Sequence, residues 1–244
     1  MDILDAIPVD NLWIGLIVGF ASLVQGLAGF GFALVSISLL PLFMELQLAV
    51  PFVIAVSLIG NISLWWHHRE SFEWSRIGDL AAAALVTIPV GVIGLKYVPE
   101  HLALQGLGVL VLAYVAYSWL QLNLPELTGR PWAYAFGAAS GVLTGAFNTG
   151  GPPLVIYANC NQWSPEQFKS NVPGTLCVLS TVAIATHYWQ GHFDGPLMTQ
   201  VGYASPFFMV GLGLGTWLSK YINADVFRRM VLLLLGMIGC KLLM

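Results

Sequence analysis

The stretch GAFNTGGPP (residues 145–153) interrupts an otherwise apolar segment that runs over residues 132–160. A second apolar segment, residues 12–43, is interrupted near its middle by QGLAGFG, residues 25–31. Each segment has roughly 30 residues, whereas one helical crossing of a membrane needs about 20. Glycine allows tight turns and proline suits the first turn of a helix. The two stretches therefore predict a pair of helices that are broken inside a membrane.

The composition supports a membrane protein. Of the 244 residues, 57% are hydrophobic and only 9% are charged, against about 25% charged residues in a typical soluble domain. Six further apolar segments are long enough for single crossings, namely residues 46–66, 77–98, 102–122, 168–189, 198–221 and 226–243. The net charge of -3 and the scattered basic residues argue against a nucleic-acid partner. The pattern indicates neither a metal site nor a cofactor.

The two broken segments are similar to one another. Gly19 aligns with Gly137, Gly31 with Gly150, and Phe72 with Phe193, and the offset stays between 118 and 122 residues. This steady register predicts a duplicated chain. We expect a first transmembrane repeat over residues 1–122, a connecting loop over residues 123–130, and a second repeat over residues 131–244.

The basic residues distinguish two topologies. If each broken segment crosses the membrane once, the nine Lys and Arg divide four against five. If each segment enters, turns at its glycines and leaves on the same side, they divide seven against two. The positive-inside rule favours the second arrangement, with arms of about 15 residues and both termini outside the cytoplasm.

The predicted fold is therefore an all-α integral membrane protein of the inner membrane with two inverted repeats. Each repeat has one broken, re-entrant helical hairpin and three transmembrane helices. This plan recurs in secondary transporters, where broken helices meet near the midplane. The lipid bilayer is the expected surroundings, and the sequence leaves a homo-oligomer open.

The breaks predict a site for a small anion. A helix N-terminus carries unpaired N–H groups and a partial positive charge, and the second arms would begin near Phe32 and Pro152. The predicted substrate-binding residues at the breaks are Gln25, Gly29, Gly31, Asn148, Thr149, Gly150 and Gly151. For the flanking glycines, such as Gly15 and Gly145, we expect close helix packing instead.

Three polar residues outside the breaks are further candidates. Asn61 and Asn171 are costly to bury in a membrane, so we include both in the predicted binding site. His187 is the candidate for proton coupling, although the histidines and their aromatic neighbours are also typical of the membrane interface.

The residues resemble a known family. The pattern GxxxGxFNTGGPP, residues 141–153, followed by YANCNQWSPEQFKSN, residues 157–171, is similar to the sulfite exporter TauE/SafE family of small permeases. The resemblance covers nearly the whole chain. It implies transport, as an exporter, of a small sulfur-containing or organic anion such as sulfite or a sulfonate.

The two alternatives to a transporter are an anion channel and a membrane-embedded enzyme. An anion channel would need a continuous polar stripe, which the sequence lacks. A membrane-embedded enzyme would need clustered His, Asp, Glu or Cys at one depth, and these residues are scattered. We therefore expect a secondary transporter and no catalytic residues.

Overall fold

The computed structural model describes residues 9–120, 125–127, 129–193, 195–221 and 224–244. Within these ranges the chain forms ten α-helices and no strand, so the predicted all-α fold is confirmed. In chain order the helices are α1 (Val9–Ala28), α2 (Phe32–Leu39), α3 (Leu46–His68), α4 (Trp74–Tyr97), α5 (Glu100–Leu120), α6 (Arg130–Phe147), α7 (Gly151–Cys160), α8 (Pro165–Trp189), α9 (Gly195–Leu218) and α10 (Ala224–Leu242). Residues 123, 124 and 128 of the predicted connection lie outside the described residues.

The six predicted single crossings correspond to α3, α4, α5, α8, α9 and α10, and their ends agree within three residues. Among the described helices, α3, α4, α5 and α9 are long and apolar enough to cross a membrane. Their outward faces are apolar: Val86 on α4 is 74% exposed and Val210 on α9 is 61% exposed. Contiguous apolar faces of this kind suit contact with lipid.

Both broken segments are present. Residues 29–31 separate α1 from α2, and residues 148–150 separate α6 from α7. The prediction that all arms have about 15 residues is wrong. Helices α1 and α6 have 20 and 18 residues, whereas α2 and α7 have eight and ten. The first arm of each pair is longer because it packs along a full-length helix, α9 for α1 and α4 for α6.

Glycines bring these helix pairs close together. A Cβ atom at Gly145 would lie 2.2 Å from the Ile88 carbonyl oxygen, and one at Gly91 would lie 2.2 Å from that of Val142. Gly15 packs against the ring of Phe207, whose nearest atoms would lie 2.9 Å from a Cβ atom at that position. Close packing is thus confirmed as the role of the flanking glycines, and small residues commonly have this role between membrane helices.

The contacts also give the relative directions of the helices. Gly137 and Gly145 of α6 meet Leu80 and Ile88 of α4, so these two helices run parallel. By the same criterion α1 runs parallel to α9 and α5 antiparallel to α10. The end of α3 and the start of α4 both lie beside the start of α8, and both helices pack on α8. Therefore α8 is antiparallel to α3 and parallel to α4.

The connections between α1 and α3 follow from these directions. The C-terminal part of α9 lies with the C-terminal end of α3 around one cavity, so α1, α3 and α9 point towards the same face. Because α1 and α3 run the same way, α2 must carry the chain back between them. The same reasoning applies to α7, which lies between the parallel helices α6 and α8.

Candidate functional site

The two breaks meet at one small cavity. Its volume is about 30 Å³, and since a water molecule needs ~10–15 Å³ by this measure, only a small solute fits without rearrangement. The lining residues come from both breaks, from α3 and from α8; they are Gln25, Phe30, Gly31, Phe32, Ala33, Leu34, Ser57, Asn61, Asn148, Thr149, Gly151, Pro152 and Leu176. Among these described residues none is charged.

The first break depends on two glycines. Gly29 has a φ of 79° and Gly31 a φ of 109°, a region that side chains with a Cβ rarely adopt. Gly31 is the N-cap of α2 and has no side chain to satisfy the first amides of the helix. The N–H groups of Phe32 and Ala33 have no carbonyl partner within α2. They are backbone donors beside the cavity.

The second break is built differently. Asn148 ends α6 in the left-handed conformation with a φ of 54°, which Asn tolerates better than most residues. The backbone N–H of Thr149 donates to the Leu143 carbonyl at 3.1 Å, and the Ser140 hydroxyl donates to the Gly150 carbonyl at 2.7 Å. These bonds hold the loop against α6.

The two helix N-termini are not equivalent donors, which differs from the prediction that both would bind an anion in the same way. The first turn of α7 begins Gly151-Pro152-Pro153, and proline has no backbone N–H. The first turn of α2 contains no proline. Backbone donation to an anion would therefore come mainly from α2, and the second break would contribute through its side chains.

Helix α3 supplies polar groups from one face. Ser57 and Asn61 are one helical turn apart and both line the cavity. The Gln25 side-chain amide donates to Asn61 Oδ1 at 3.1 Å, and the Asn148 side-chain amide donates to Ser57 Oγ at 2.9 Å. Each break is thus tied to α3 by one hydrogen bond between buried side chains.

Two buried polar atoms at the cavity have no hydrogen-bond partner in the described part of the chain. Thr149 is 1% exposed and Gln25 is 2% exposed, yet Thr149 Oγ1 and Gln25 Oε1 are unpaired. Leaving a buried polar group unpaired costs ~1–3 kcal/mol. The Thr149 hydroxyl can donate and Gln25 Oε1 can accept, so both residues offer hydrogen-bonding groups to a polar solute.

Six of the predicted site residues are brought together at this cavity: Gln25, Gly31, Asn61, Asn148, Thr149 and Gly151. Gly29 instead lines a second, wider cavity on the other side of the first break. Gly150 packs against α6, where an added Cβ would lie 2.0 Å from Thr144 Oγ1. Its small size keeps the second break close to α6.

Asn171 lies away from the cavity, near the start of α8. Its Oδ1 accepts a hydrogen bond of 2.9 Å from the backbone N–H of Glu73, in the turn between α3 and α4. The side chain is fully buried. This position gives Asn171 a structural contact between the turn and α8.

His187 lies near the opposite end of α8. It is 1% exposed, and its Nδ1 is 2.8 Å from Nδ1 of His192. A hydrogen bond between two ring nitrogens requires one of them to carry the proton. Among the described residues, no group of three or more His, Cys, Asp or Glu is placed so that it could hold a metal ion.

Several lining residues were not predicted. Ser57 lies on the same face of α3 as Asn61, and the spacing of four residues between them could have identified Ser57 as a site residue. Phe30 lies inside the glycine-rich break, where the glycines dominate the pattern, and Phe32 is the first residue of α2. Leu176 carries no sequence signal, because apolar residues of α8 are too numerous to single it out.

Comparison with known proteins adds independent information. The model of the family described as sulfite exporter TauE/SafE matches residues 14–242. A protein of Cupriavidus necator named "Probable sulfite/organosulfonate exporter TauE" is 25% identical over 180 residues, which cover 72% of this chain and 70% of that protein. No solved structure is significantly similar to the chain. The family match extends from α1 to α10 and includes both breaks.

Proposed function

Because the chain belongs to the sulfite exporter TauE/SafE family and has helices that can cross a membrane, it is a membrane transport protein, and we propose that it is a secondary exporter of a small anion. The substrate is a sulfur-containing or organic anion such as sulfite or a sulfonate. The observation that carries the proposal is a small cavity lined by residues of both helix breaks. The breaks, and not a cluster of charged side chains, hold the anion.

The groups at the cavity suit a small anion. The Phe32 and Ala33 amides, the Thr149 hydroxyl and the side-chain amides are neutral donors in a site without Lys or Arg among its described lining residues. A neutral site binds an anion without first having to separate a buried ion pair. The unpaired Gln25 Oε1 is an acceptor, so an anion that also carries a proton, such as hydrogen sulfite, would match the site better than a fully ionised one.

We propose the finer fold as two inverted repeats, residues 1–122 and 131–244, each with a re-entrant hairpin. The reversal of the chain by α2 and by α7, between helices that run the same way, supports this. At 1.5 Å per residue α2 and α7 would reach ~12–15 Å, about half of a 30 Å hydrocarbon core. Two hairpins that enter from opposite faces would therefore meet near the midplane.

The orientation in the inner membrane is proposed from charge. Helix directions put the ends of α3 and α9 and the starts of α6, α8 and α10 on one face, and seven of the nine Lys and Arg belong to this face. The positive-inside rule makes it cytoplasmic. Both termini then lie outside the cytoplasm.

Proton coupling is assigned to His187 together with His192. A proton added to the accepting ring nitrogen would remove the 2.8 Å hydrogen bond between them. That bond joins the end of α8 to the loop before α9, so its loss changes a contact between two helices of the second repeat. The transport rate would therefore depend on the proton gradient across the membrane.

The experiment is flux in proteoliposomes. Purified protein is reconstituted with labelled sulfite, a short sulfonate or a carboxylate of similar size, with and without a pH gradient. The proposal predicts saturable sulfite flux that competes with the sulfonate and depends on the gradient. It is contradicted if protein-containing vesicles release sulfite no faster than empty vesicles.

A matched pair of variants links flux to the cavity. Asn61→Ala removes a lining amide, whereas Asn161→Ala removes an amide that does not line this cavity and donates to the Tyr157 carbonyl at the end of α7. We expect Asn61→Ala to raise the KM for sulfite and Asn161→Ala to leave it unchanged. Equal effects of the two changes would place the site elsewhere. His187→Gln should retain sulfite binding and lose the dependence on the proton gradient.

A further inference from the structure

A second, much wider cavity adjoins the candidate site. Its volume is about 1010 Å³, and it extends from the first break to the ends of α3 and α9 and the starts of α8 and α10. Phe30, Gly31 and Leu34 line both cavities. The wide cavity therefore leads from the small one to the face that carries most of the basic residues.

One face of α9 forms a wall of this cavity. The lining positions are Met209, Leu212, Gly213, Thr216 and Trp217, a spacing of three and four residues that belongs to a single helix face. Val210, the neighbour of Met209, is 61% exposed but does not line the cavity. The wall thus faces a different direction from the lipid-facing side of the same helix.

The end of the wide cavity that opens at the basic face, its mouth, carries positive charge. Lys169 and Lys220 line it, together with His67 and His68. No Asp or Glu occurs among its lining residues in the described ranges. A cleft lined by one sign of charge concentrates ions of the opposite sign, so this mouth would attract anions and repel cations.

Phe30 lies at the junction of the two cavities. Its ring packs edge-on against Tyr114 and Phe168, each with a centroid distance of 6.2 Å. It stands between Gly29 and Gly31, both of which have a positive φ. A bulky side chain between two conformationally free residues can change position without disturbing α1 or α2.

We propose that the wide cavity is the aqueous route by which the anion enters from the basic face, and that Phe30 separates this route from the binding site and limits the size of what passes. The inference rests on the proposed function for its substrate, a small oxyanion. Lys169 and Lys220 recruit the anion at the mouth. The route ends at the neutral donors between the breaks.

Thiol accessibility tests the route without measuring transport. In a variant that lacks the three native cysteines, Met209→Cys is compared with Val210→Cys in reconstituted vesicles. A negatively charged, membrane-impermeant thiol reagent should modify Met209→Cys when it reaches the basic face, and only from that side. It should leave Val210→Cys unmodified from both sides, since that thiol faces lipid. Protection of Met209→Cys from both sides overturns the proposal, even if the protein transports sulfite.

Recruitment at the mouth is tested by charge removal. The double variant Lys169→Gln/Lys220→Gln should raise the KM for sulfite presented at the basic face by about tenfold at low salt. The rise should vanish near 1 M salt, where the screening length is about 3 Å. The control Lys96→Gln/Lys241→Gln, on the other face, should not change this KM. Equal effects of the two double variants overturn the assignment of the mouth.

The role of Phe30 is tested by substrate size. Phe30→Ala should raise the transport rate of a longer sulfonate relative to sulfite, and the conservative Phe30→Leu should do so less. Phe43→Ala is the control, because Phe43 also packs on an aromatic ring, that of Trp13, at the far end of the first hairpin. An unchanged ratio in Phe30→Ala and Phe30→Leu contradicts its role as the size limit. Absence of sulfite flux in the unmodified protein contradicts the proposed function instead, while the thiol experiment still decides the route.

Discussion

Replacement of Thr149 by valine separates binding from folding. The Thr149 hydroxyl is buried and has no partner among the described residues, so its removal breaks no hydrogen bond there. Valine keeps the branched shape at Cβ. The protein should therefore be as stable as before or more stable, by up to ~1–3 kcal/mol, the usual cost of an unpaired buried polar group.

The same change should weaken anion binding strongly. A hydrogen bond to a charged group contributes ~1.5–3 kcal/mol, and each 1.4 kcal/mol is a tenfold change in affinity. Thr149→Val should raise the Kd for sulfite by about 10- to 150-fold. Calorimetric titration of the detergent-purified protein measures the Kd, and thermal unfolding of the same sample measures the stability.

The control is Thr181→Val on α8. The Thr181 hydroxyl is exposed and donates to the Cys177 carbonyl of its own helix at 2.8 Å. Its replacement should leave the Kd unchanged. If Thr149→Val binds sulfite as tightly as the unmodified protein and is folded, the hydroxyl does not contact the anion and the site assignment is refuted.

Three further predictions concern packing, pH and topology. Gly91→Ala should lower the free energy of unfolding by ~1–3 kcal/mol, because its Cβ would lie 2.2 Å from the Val142 carbonyl oxygen. Gly94→Ala should not lower it, because no atom lies within 4 Å of a Cβ atom at that position. Thermal unfolding compares the two variants. The hydrogen bond from Arg76, and then that from Gln167, lowers the pKa of Glu73. The ionised Glu73 therefore stabilises the fold above the ordinary Glu pKa, and this contribution is lost as the pH falls through the lowered pKa. Glu73→Gln should make the melting temperature less dependent on pH over that acidic range, and an unchanged pH profile would contradict this. A reporter enzyme that is active only outside the cytoplasm should be active when fused to either terminus, and activity at one terminus alone would refute the proposed topology.

The positions of the helix breaks could be predicted because they depend on local chemistry. Gly29 and Gly31 adopt backbone angles that need glycine, and the prolines after Gly151 fix where α7 begins. Asn61 was identified because a buried amide in a membrane is costly without a role. These signals are present in the residues themselves and need no knowledge of their neighbours.

Asn171 shows where the same reasoning fails. Its burial is as costly as that of Asn61, but a backbone N–H of the α3–α4 turn satisfies its oxygen. The sequence cannot distinguish a partner in the protein from a partner in the substrate. Ser57 was missed for the opposite reason: it bonds the Ile54 carbonyl of its own helix, as most membrane serines do, and lines the cavity as well.

The arm lengths could not be predicted because they depend on distant packing. Helix α1 continues to Ala28 along α9, and α6 continues to Phe147 along α4. Each first arm thus packs on a helix of the other half of the chain. A glycine stripe in the sequence indicates that a close partner exists, but not which helix it is.

A small oxyanion is proposed to bind between the two helix breaks. Selenite has the geometry of sulfite, and its selenium scatters X-rays anomalously, so a crystal grown with selenite tests the claim directly. We expect an anomalous peak within hydrogen-bond distance of Thr149 Oγ1 and of the first amides of α2. A bound selenite elsewhere, with no peak between the breaks, would contradict it.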